Sequence, residues 1–317
     1  MANRYLVAGA GGTKNWSDTS IWSDSDGGAT GFSAPGINDK LIGNAASLSG
    51  ALILTLDSAI SVGEIDTSAL DNNLTITGSV YTLSLYGSLT ENATYSLYNL
   101  TGTSYIYFKG TGTITTNGRA THVWNRMYIN GAGITVTNGD DITIPGQVQF
   151  VAGTWNTNGK NITISGGLNI AGNVILTLGS SVFKLLSSWV TNATSYTLNA
   201  NTSTVWLVNA IGTFQPKSVI FYNLTIDGNV GVNALSNVYD SFTVSNTLTI
   251  TGANATTQRV LIASSTIGTP RTITCNGTTN ITNADFRDIT LAGSANRDFS
   301  AQVNVGDCGG NSGITFP

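Results

Sequence analysis

The sequence predicts an all-β fold, a single-stranded right-handed parallel β-helix, on the basis of three observations. First, a strand-sized pattern of apolar residue, threonine and apolar residue recurs, and we call each copy a phrase. Second, the chain has 37 glycines and only 5 prolines, which suits many tight turns. Third, no segment has a convincing helical period. Such a phrase cannot bury its apolar face alone, but stacked copies can. The copies are residues 74–76, 134–136, 142–144, 162–164, 224–226, 248–250, 273–275 and 289–291.

The spacing of the phrases favours a β-helix with turns of uneven length. The step from Ile142 to Ile162 is shorter than the step from Leu224 to Leu248. Further strand candidates lie between the phrases at 148–151, 174–178 and 204–208, which predicts two or three strands per turn. A β-sandwich is the alternative, since short strands at regular spacing also fit that class. The repeated phrase, with Asn, Thr and Ser beside it, favours the solenoid because these residues stack in ladders.

Three regions are predicted along the chain. Residues 1–45 carry Trp16 and Trp22 among Gly, Ser and Asp. We expect this region to form an N-terminal cap with the two indoles as its plug, because an open solenoid end is a template for edge pairing. Residues 46–300 form the β-helix shaft. Residues 301–317 form a C-terminal cap strand, in which 314–316 pairs with the last turn and Pro317 stops further pairing.

Composition and charge exclude two classes of partner. Charged residues make up 9% of the chain, the net charge is −4, and the 13 basic residues are scattered. A nucleic-acid partner is therefore not expected, because its recognition needs clustered Lys and Arg. A membrane partner is not expected either, since no apolar run approaches the roughly 18 residues of a spanning helix.

The two ends of the chain resemble bacteriophage virion structural proteins of the β-helical tail fibre, tail or capsid-fibre type. At the start the similarity extends to about position 45 and rests on Ala2-Asn3-Arg4-Tyr5, Asn15-Trp16-Ser17, Pro35 and Asp39. At the end it covers the range 258–317 and rests on the segments 259–262, 269–273, 284–289 and 307–316. The middle of the chain has only a general similarity to these proteins.

The resemblance implies a non-enzymatic structural protein located in the virion. It is a tail fibre or spike component, or a capsid fibre or decoration protein, that gives rigid extension and host attachment. The partners implied are other virion proteins, a host surface glycan and further copies of the chain, with a homotrimer expected by analogy with other β-helical fibres. A polysaccharide-degrading tailspike and a surface adhesin solenoid are the alternatives. The resemblance carries no catalytic residues.

A glycan-cleaving enzyme would need two carboxylates that face each other across a groove. The chain has only two glutamates, Glu64 and Glu91, and its aspartates sit mostly singly at turns. Asp140 and Asp141 follow Asn-Gly and are interpreted as turn residues. The strongest acidic candidates are Asp285 and Asp288, which flank Arg287. An ion-pair network is the structural interpretation of this group, and a lyase-like acid, base and arginine set is the functional one.

Metal and cofactor sites are not predicted. His122 is the only histidine, and it has no metal-ligand spacing with Cys275 or Cys308. The two cysteines are interpreted as buried thiols, with a disulfide as the alternative. The glycines around residues 9–12 lack the strand and helix that a dinucleotide fingerprint requires.

Aromatic residues remain as candidate binding groups. They crowd the stretch between 81 and 108, where Tyr105 and Tyr107 share one face of a strand and Phe108 points to the other. An outward row of tyrosines would bind a sugar or pack against another subunit, and an inward row would be core. The other members of the group are Tyr81, Tyr86, Tyr95 and Tyr98.

Overall fold

A computed structural model of the chain confirms an all-β parallel solenoid. Strands hold 52% of the residues and helix 1%, and the strands form about 11 parallel turns in the part of the chain that the structure describes. The residues form two compact units, Met1–Asn156 and Thr157–Pro317. The structure describes residues 1–7, 12–45, 47–119, 123–208, 212–228, 235–253, 258–302 and 304–317.

The N-terminal unit contains seventeen strands and one 3₁₀ turn at Thr19–Ile21 in its described residues. The strands are β1 (Ala2–Leu6), β2 (Gly12–Asn15), β3 (Trp22–Ser23), β4 (Asp39–Ile42), β5 (Leu52–Thr55), β6 (Ile60–Val62), β7 (Glu64–Asp66), β8 (Leu74–Gly78), β9 (Leu83–Leu85), β10 (Leu89–Thr90), β11 (Ser96–Leu100), β12 (Ile106–Phe108), β13 (Gly112–Thr115), β14 (Val123–Trp124), β15 (Arg126–Asn138), β16 (Ile142–Ile144) and β17 (Gln147–Asn156).

These strands stack in three parallel columns. The first column runs β1, β4, β7, β10 and β13 and continues through the second halves of β15 and β17. The second runs β2, β5, β8, β11 and β14. The third runs β6, β9 and β12 and continues through the first halves of β15 and β17. Parallel pairing at this scale excludes the β-sandwich alternative, whose sheets are antiparallel.

The start of the unit combines stacked strands with a covering strand. Trp16 and Trp22 are both buried, with ring centroids 5.6 Å apart, and the Trp22 indole Nε1 donates to the carbonyl of Trp16 at 2.8 Å. Strand β3 runs antiparallel to β1 and places Trp22 opposite Leu6. Because β3 lies at the end of its sheet, it covers the edge that β1 would otherwise expose.

The C-terminal unit contains sixteen strands in its described residues. They are β18 (Ile162–Ile164), β19 (Leu168–Ile170), β20 (Val174–Thr177), β21 (Val182–Leu185), β22 (Trp189–Thr191), β23 (Thr197–Asn199), β24 (Thr204–Val208), β25 (Ile220–Gly228), β26 (Leu235–Val238), β27 (Phe242–Gly252), β28 (Val260–Ser264), β29 (Arg271–Cys275), β30 (Thr278–Thr282), β31 (Ala284–Arg287), β32 (Ile289–Ala292) and β33 (Val305–Asp307).

The predicted phrases lie directly on one another in this unit. Thr225 is in register with Thr249, and Thr249 with Asn280, so their side chains share the outer face. On the inner face the register joins fully buried apolar residues, and this ladder consists of Leu207, Ile226, Ile250 and Ile281. Each of the eight phrases lies within a strand, in β8, β15, β16, β18, β25, β27, β29 and β32.

An aromatic cluster fills the core of the same unit. Phe214 forms single parallel bridges with Trp189 and Val238, so it takes the place of a strand between them. The ring centroid of Phe214 lies 6.2 Å from that of Trp189 and 5.2 Å from that of Phe242, both at near-perpendicular angles. Edge-to-face packing of this kind stabilises aromatic pairs beyond the area that they bury.

The last residues of the chain form single bridges in place of the predicted terminal strand. Thr315 bridges to Asp298, and the Phe316 ring lies 6.3 Å from that of Phe286. The division into a cap at 1–45, a shaft at 46–300 and a cap strand at 301–317 stays a prediction. Within the described residues, no helix has the length and hydropathy to span a membrane.

Candidate functional site

Three tyrosines form an outward cluster on the third column of the N-terminal unit. On β12 the side chains alternate, so that Ile106 and Phe108 are buried while Tyr107 points outward and is half-buried. Strand β15 lies in register beside it, with Tyr128 paired to Tyr107. We call the set Tyr105, Tyr107, Tyr128, Lys109 and Arg126 the tyrosine platform.

The rings of the platform are in contact with one another. Tyr107 and Tyr128 stack with centroids 4.3 Å apart and planes within 13°. Tyr105 is tilted against both, with its centroid 5.5 Å from that of Tyr128. This confirms that Tyr105 and Tyr107 share a face and that Phe108 points the other way. It also shows that the row is outward, whereas Tyr98 of the same sequence cluster is core.

Two cations flank the stacked pair. The guanidinium of Arg126 lies 5.2 Å from the Tyr105 centroid and donates a hydrogen bond to the Tyr128 hydroxyl at 3.2 Å. The ammonium of Lys109 lies 5.2 Å from the Tyr107 centroid. Both distances are within the range of cation–π attraction. In the part of the chain that the structure describes, no carboxylate oxygen lies within 4.0 Å of either cation.

Two groups of the platform, Tyr107 and Arg126, have raised pKa values. Partial burial, followed by the neighbouring Tyr128 phenol, raises the pKa of Tyr107, so its hydroxyl remains a donor. The hydrogen bond to the Tyr128 oxygen raises the pKa of Arg126, which therefore stays charged. At neutral pH the Tyr107 hydroxyl is therefore protonated and the Arg126 guanidinium is charged.

The two glutamates lie in different environments. Glu64 is half-buried, and the ammonium of Lys40 lies 3.8 Å from it and 3.0 Å from Asp66. Glu91 is fully buried, and burial raises its pKa well above the ordinary value, although the charge of Arg119 opposes this rise. Burial favours the uncharged form of this carboxyl group, and a group that solvent does not reach is poorly placed to act on a polymer.

Asp140 has the turn role that the sequence predicted. Its carboxylate accepts hydrogen bonds from the backbone N–H of Thr116 at 2.9 Å and of Gly118 at 3.1 Å. It also accepts one from the Thr116 hydroxyl at 3.1 Å. These donors belong to the neighbouring turn of the solenoid, so Asp140 fixes one turn against the next.

Asp285 and Asp288 do not form the set that an acid–base mechanism would use. Asp285 and Arg287 share the outer face of β31, as predicted, but Asp285 pairs at 2.7 Å with Arg259, the residue that precedes β28. Asp288 is buried at a corner with a φ of 54° and accepts a hydrogen bond from the Gly268 N–H at 3.0 Å. Both carboxylates therefore hold adjacent turns together.

The remaining candidates give no site in the described residues. His122 lies outside those residues. Cys275 is a buried free thiol, as predicted, whereas Cys308 is exposed, which corrects the interpretation of two buried thiols. Among the described residues, no group of three or more His, Cys, Asp or Glu is arranged to hold a metal ion.

The sequence pointed to part of the platform and missed the rest. Tyr105 and Tyr107 lay in the aromatic stretch, but Tyr128 and Arg126 come from the next turn. The signal that would have found them is the length of that turn, since Tyr128 lies one turn after Tyr107 and pairs with it.

Comparison of the chain with protein-family models, curated proteins and solved structures gave no match in any of the three. The platform and the solenoid are therefore interpreted from their own chemistry.

Proposed function

We propose that this protein is a non-enzymatic structural component of a virion that provides rigid extension and attaches to a surface glycan through the tyrosine platform. The observation that carries the attachment role is the stacked pair of Tyr107 and Tyr128 on the outer face of a parallel β-ladder. Tyrosine offers a large, rigid and amphipathic contact surface at a low cost in conformational entropy, and this suits recognition.

The ladders support the scaffold role. In each unit the backbone hydrogen bonds of one turn are made with the next turn, as in Thr67 N–H to Thr90 O at 2.8 Å and Thr157 N–H to Thr177 O at 2.9 Å. Because each turn is held by both neighbours, a local bend must distort many hydrogen bonds together. Stiffness is the property that a fibre or spike component needs.

The placement of the acidic residues supports a role without catalysis. Asp140 and Asp288 accept backbone hydrogen bonds at corners, and Asp285 is paired with Arg259. These carboxylates are used to hold turns together. The resemblance of the chain's ends to phage proteins is the support for the virion location, and analogy with β-helical fibres is the support for a homotrimer.

Immunogold labelling and mass spectrometry of purified particles test the location. We expect the protein in intact particles at a stoichiometry that is a multiple of three. Its absence from washed particles would refute the virion role. Incubation with capsular polysaccharide gives a second test, because a depolymerase shortens the polymer during incubation and a binding protein leaves its length unchanged.

A further inference from the structure

We propose that the tyrosine platform binds an acidic saccharide whose carboxylates are bound by Arg126 and Lys109. This inference rests on the proposed role of glycan attachment and names the chemical class of the ligand. It follows from what the platform presents to solvent, which is determined by the packing of its rings and by its charge.

The ring faces of the central pair are occupied by one another. Tyr107 and Tyr128 are nearly parallel at 4.3 Å, so each covers one face of its partner. Lys109 lies over the ring of Tyr107, and Tyr105 leans against Tyr128. A neutral sugar that stacks flat on an aromatic face finds little free face here. These contacts cover ring faces and leave ring edges, which carry partial positive charge.

The charged groups of the platform are donors only, whereas its phenol hydroxyls can both donate and accept hydrogen bonds. Arg126 donates one hydrogen bond from Nη1 to the Tyr128 hydroxyl, and its guanidinium has further N–H groups that can donate to a ligand. Lys109 carries three N–H donors, and the raised pKa of Tyr107 keeps its hydroxyl protonated. A ligand rich in acceptors and negative charge complements this set, and a carboxylate matches the planar fork of a guanidinium.

The positions of the cations fit a polymer that crosses the platform along the strands. Arg126 precedes Tyr128 by two positions, and Lys109 follows Tyr107 by two. The backbone positions of the two residues therefore lie on opposite sides of the stacked pair, four positions or roughly 13 Å apart along the strand direction at about 3.3 Å per residue. A short oligosaccharide with a charge on successive units spans such a distance, and its sugar rings would lie against the tyrosine edges.

Charge also separates an acidic saccharide from a nucleic acid. Single-stranded nucleic acid is bound in a long positive groove in which bases stack on free aromatic faces. The platform has two cations on a chain whose net charge is −4, and the faces of its central rings are covered. An acidic saccharide of low charge density is the ligand that these features favour.

The test measures binding of the full chain to a hexamer of galacturonic acid by calorimetry. The matched ligand is the same hexamer with its carboxylates reduced to alcohols. The variants are Lys109→Gln and Arg126→Gln, singly and together, and Lys160→Gln is the control, because it removes one positive charge from the C-terminal unit. We expect the double variant to lose about tenfold or more in affinity for the acidic hexamer, the control to lose little, and added salt to weaken binding.

The possible results distinguish failure of the inference from failure of the proposed function. Equal binding of the reduced and acidic hexamers would overturn the acidic class and leave glycan attachment standing. Binding of neither hexamer, and of no other glycan in an array, would refute both. Tighter binding of single-stranded DNA than of the acidic hexamer would also overturn the inference. If a platform variant fails to fold, the comparison of the two hexamers on the unchanged protein still decides the question.

Discussion

Replacement of Ile226 by alanine is expected to destabilise the C-terminal unit strongly. Ile226 is fully buried and lies in register between Leu207 and Ile250, which are also fully buried. The substitution removes three carbon atoms from the middle of this ladder. At about 0.8 kcal/mol per buried CH₂, the transfer contribution alone is roughly 2.4 kcal/mol. The cavity that remains where the neighbouring turns do not move in raises the expected loss of unfolding free energy to about 2–5 kcal/mol.

Thr225→Ala is the matched control on the same strand. Thr225 points outward between Trp206 and Thr249, so its loss leaves no cavity in the core. We expect a cost of about 0.5 kcal/mol, which is typical of a surface substitution. Urea denaturation of each variant, followed by circular dichroism and tryptophan fluorescence, gives the midpoints and slopes from which the two costs are compared.

A reversed order of the two costs would refute the reasoning. A slip of the ladder by one residue would place Thr225 inside and Ile226 outside, because successive side chains of a strand point to opposite faces. In that case Thr225→Ala would be the costly change. Equal and small costs would refute it in a different way, since they would mean that this part of the unit is not closely packed.

Two further expectations concern single carboxylates. Burial raises the pKa of Glu91 above 4.5, so from that pH upward to its folded pKa the folded protein holds a proton that the unfolded chain has lost. Stability should therefore fall with rising pH by at most about 1.4 kcal/mol per pH unit, and Glu91→Gln should remove this fall. The expectation would be contradicted if the unchanged protein and the variant showed the same slope of stability against pH from pH 5 to 7. Asp140→Ala should lower the free energy of unfolding by about 1–3 kcal/mol in urea denaturation, because it leaves the backbone N–H groups of Thr116 and Gly118 without their acceptor. Asp140→Asn should cost less. An unchanged midpoint for Asp140→Ala would speak against the turn role.

Local patterns in the sequence predicted which side chains share a face. The alternation around Tyr107 placed Tyr105 beside it and Phe108 opposite, because the side-chain period of a strand is two. The same rule placed Asp285 and Arg287 together on β31. Both predictions are confirmed, since they depend only on residues within one strand or directly next to it.

Relations between turns were beyond the sequence because the turns differ in length. The segment that separates Tyr107 from its partner Tyr128 is distinctly shorter than the segment that separates Thr249 from its partner Asn280. No fixed repeat length would have found both pairs. For this reason the sequence alone does not indicate that Tyr128 and Arg126 join the platform, or that Arg259 is the partner of Asp285.

The sequence by itself determined that this protein is a stack of short strands with apolar residues inside and polar residues outside. The alternation and the repeated phrase impose this result wherever the strands pair, since only stacking buries their apolar faces. Only the tertiary structure decided which residues meet across turns. The offset between one turn and the next depends on corner geometry, and that offset brings the stacked tyrosines and two cations together on one outer face.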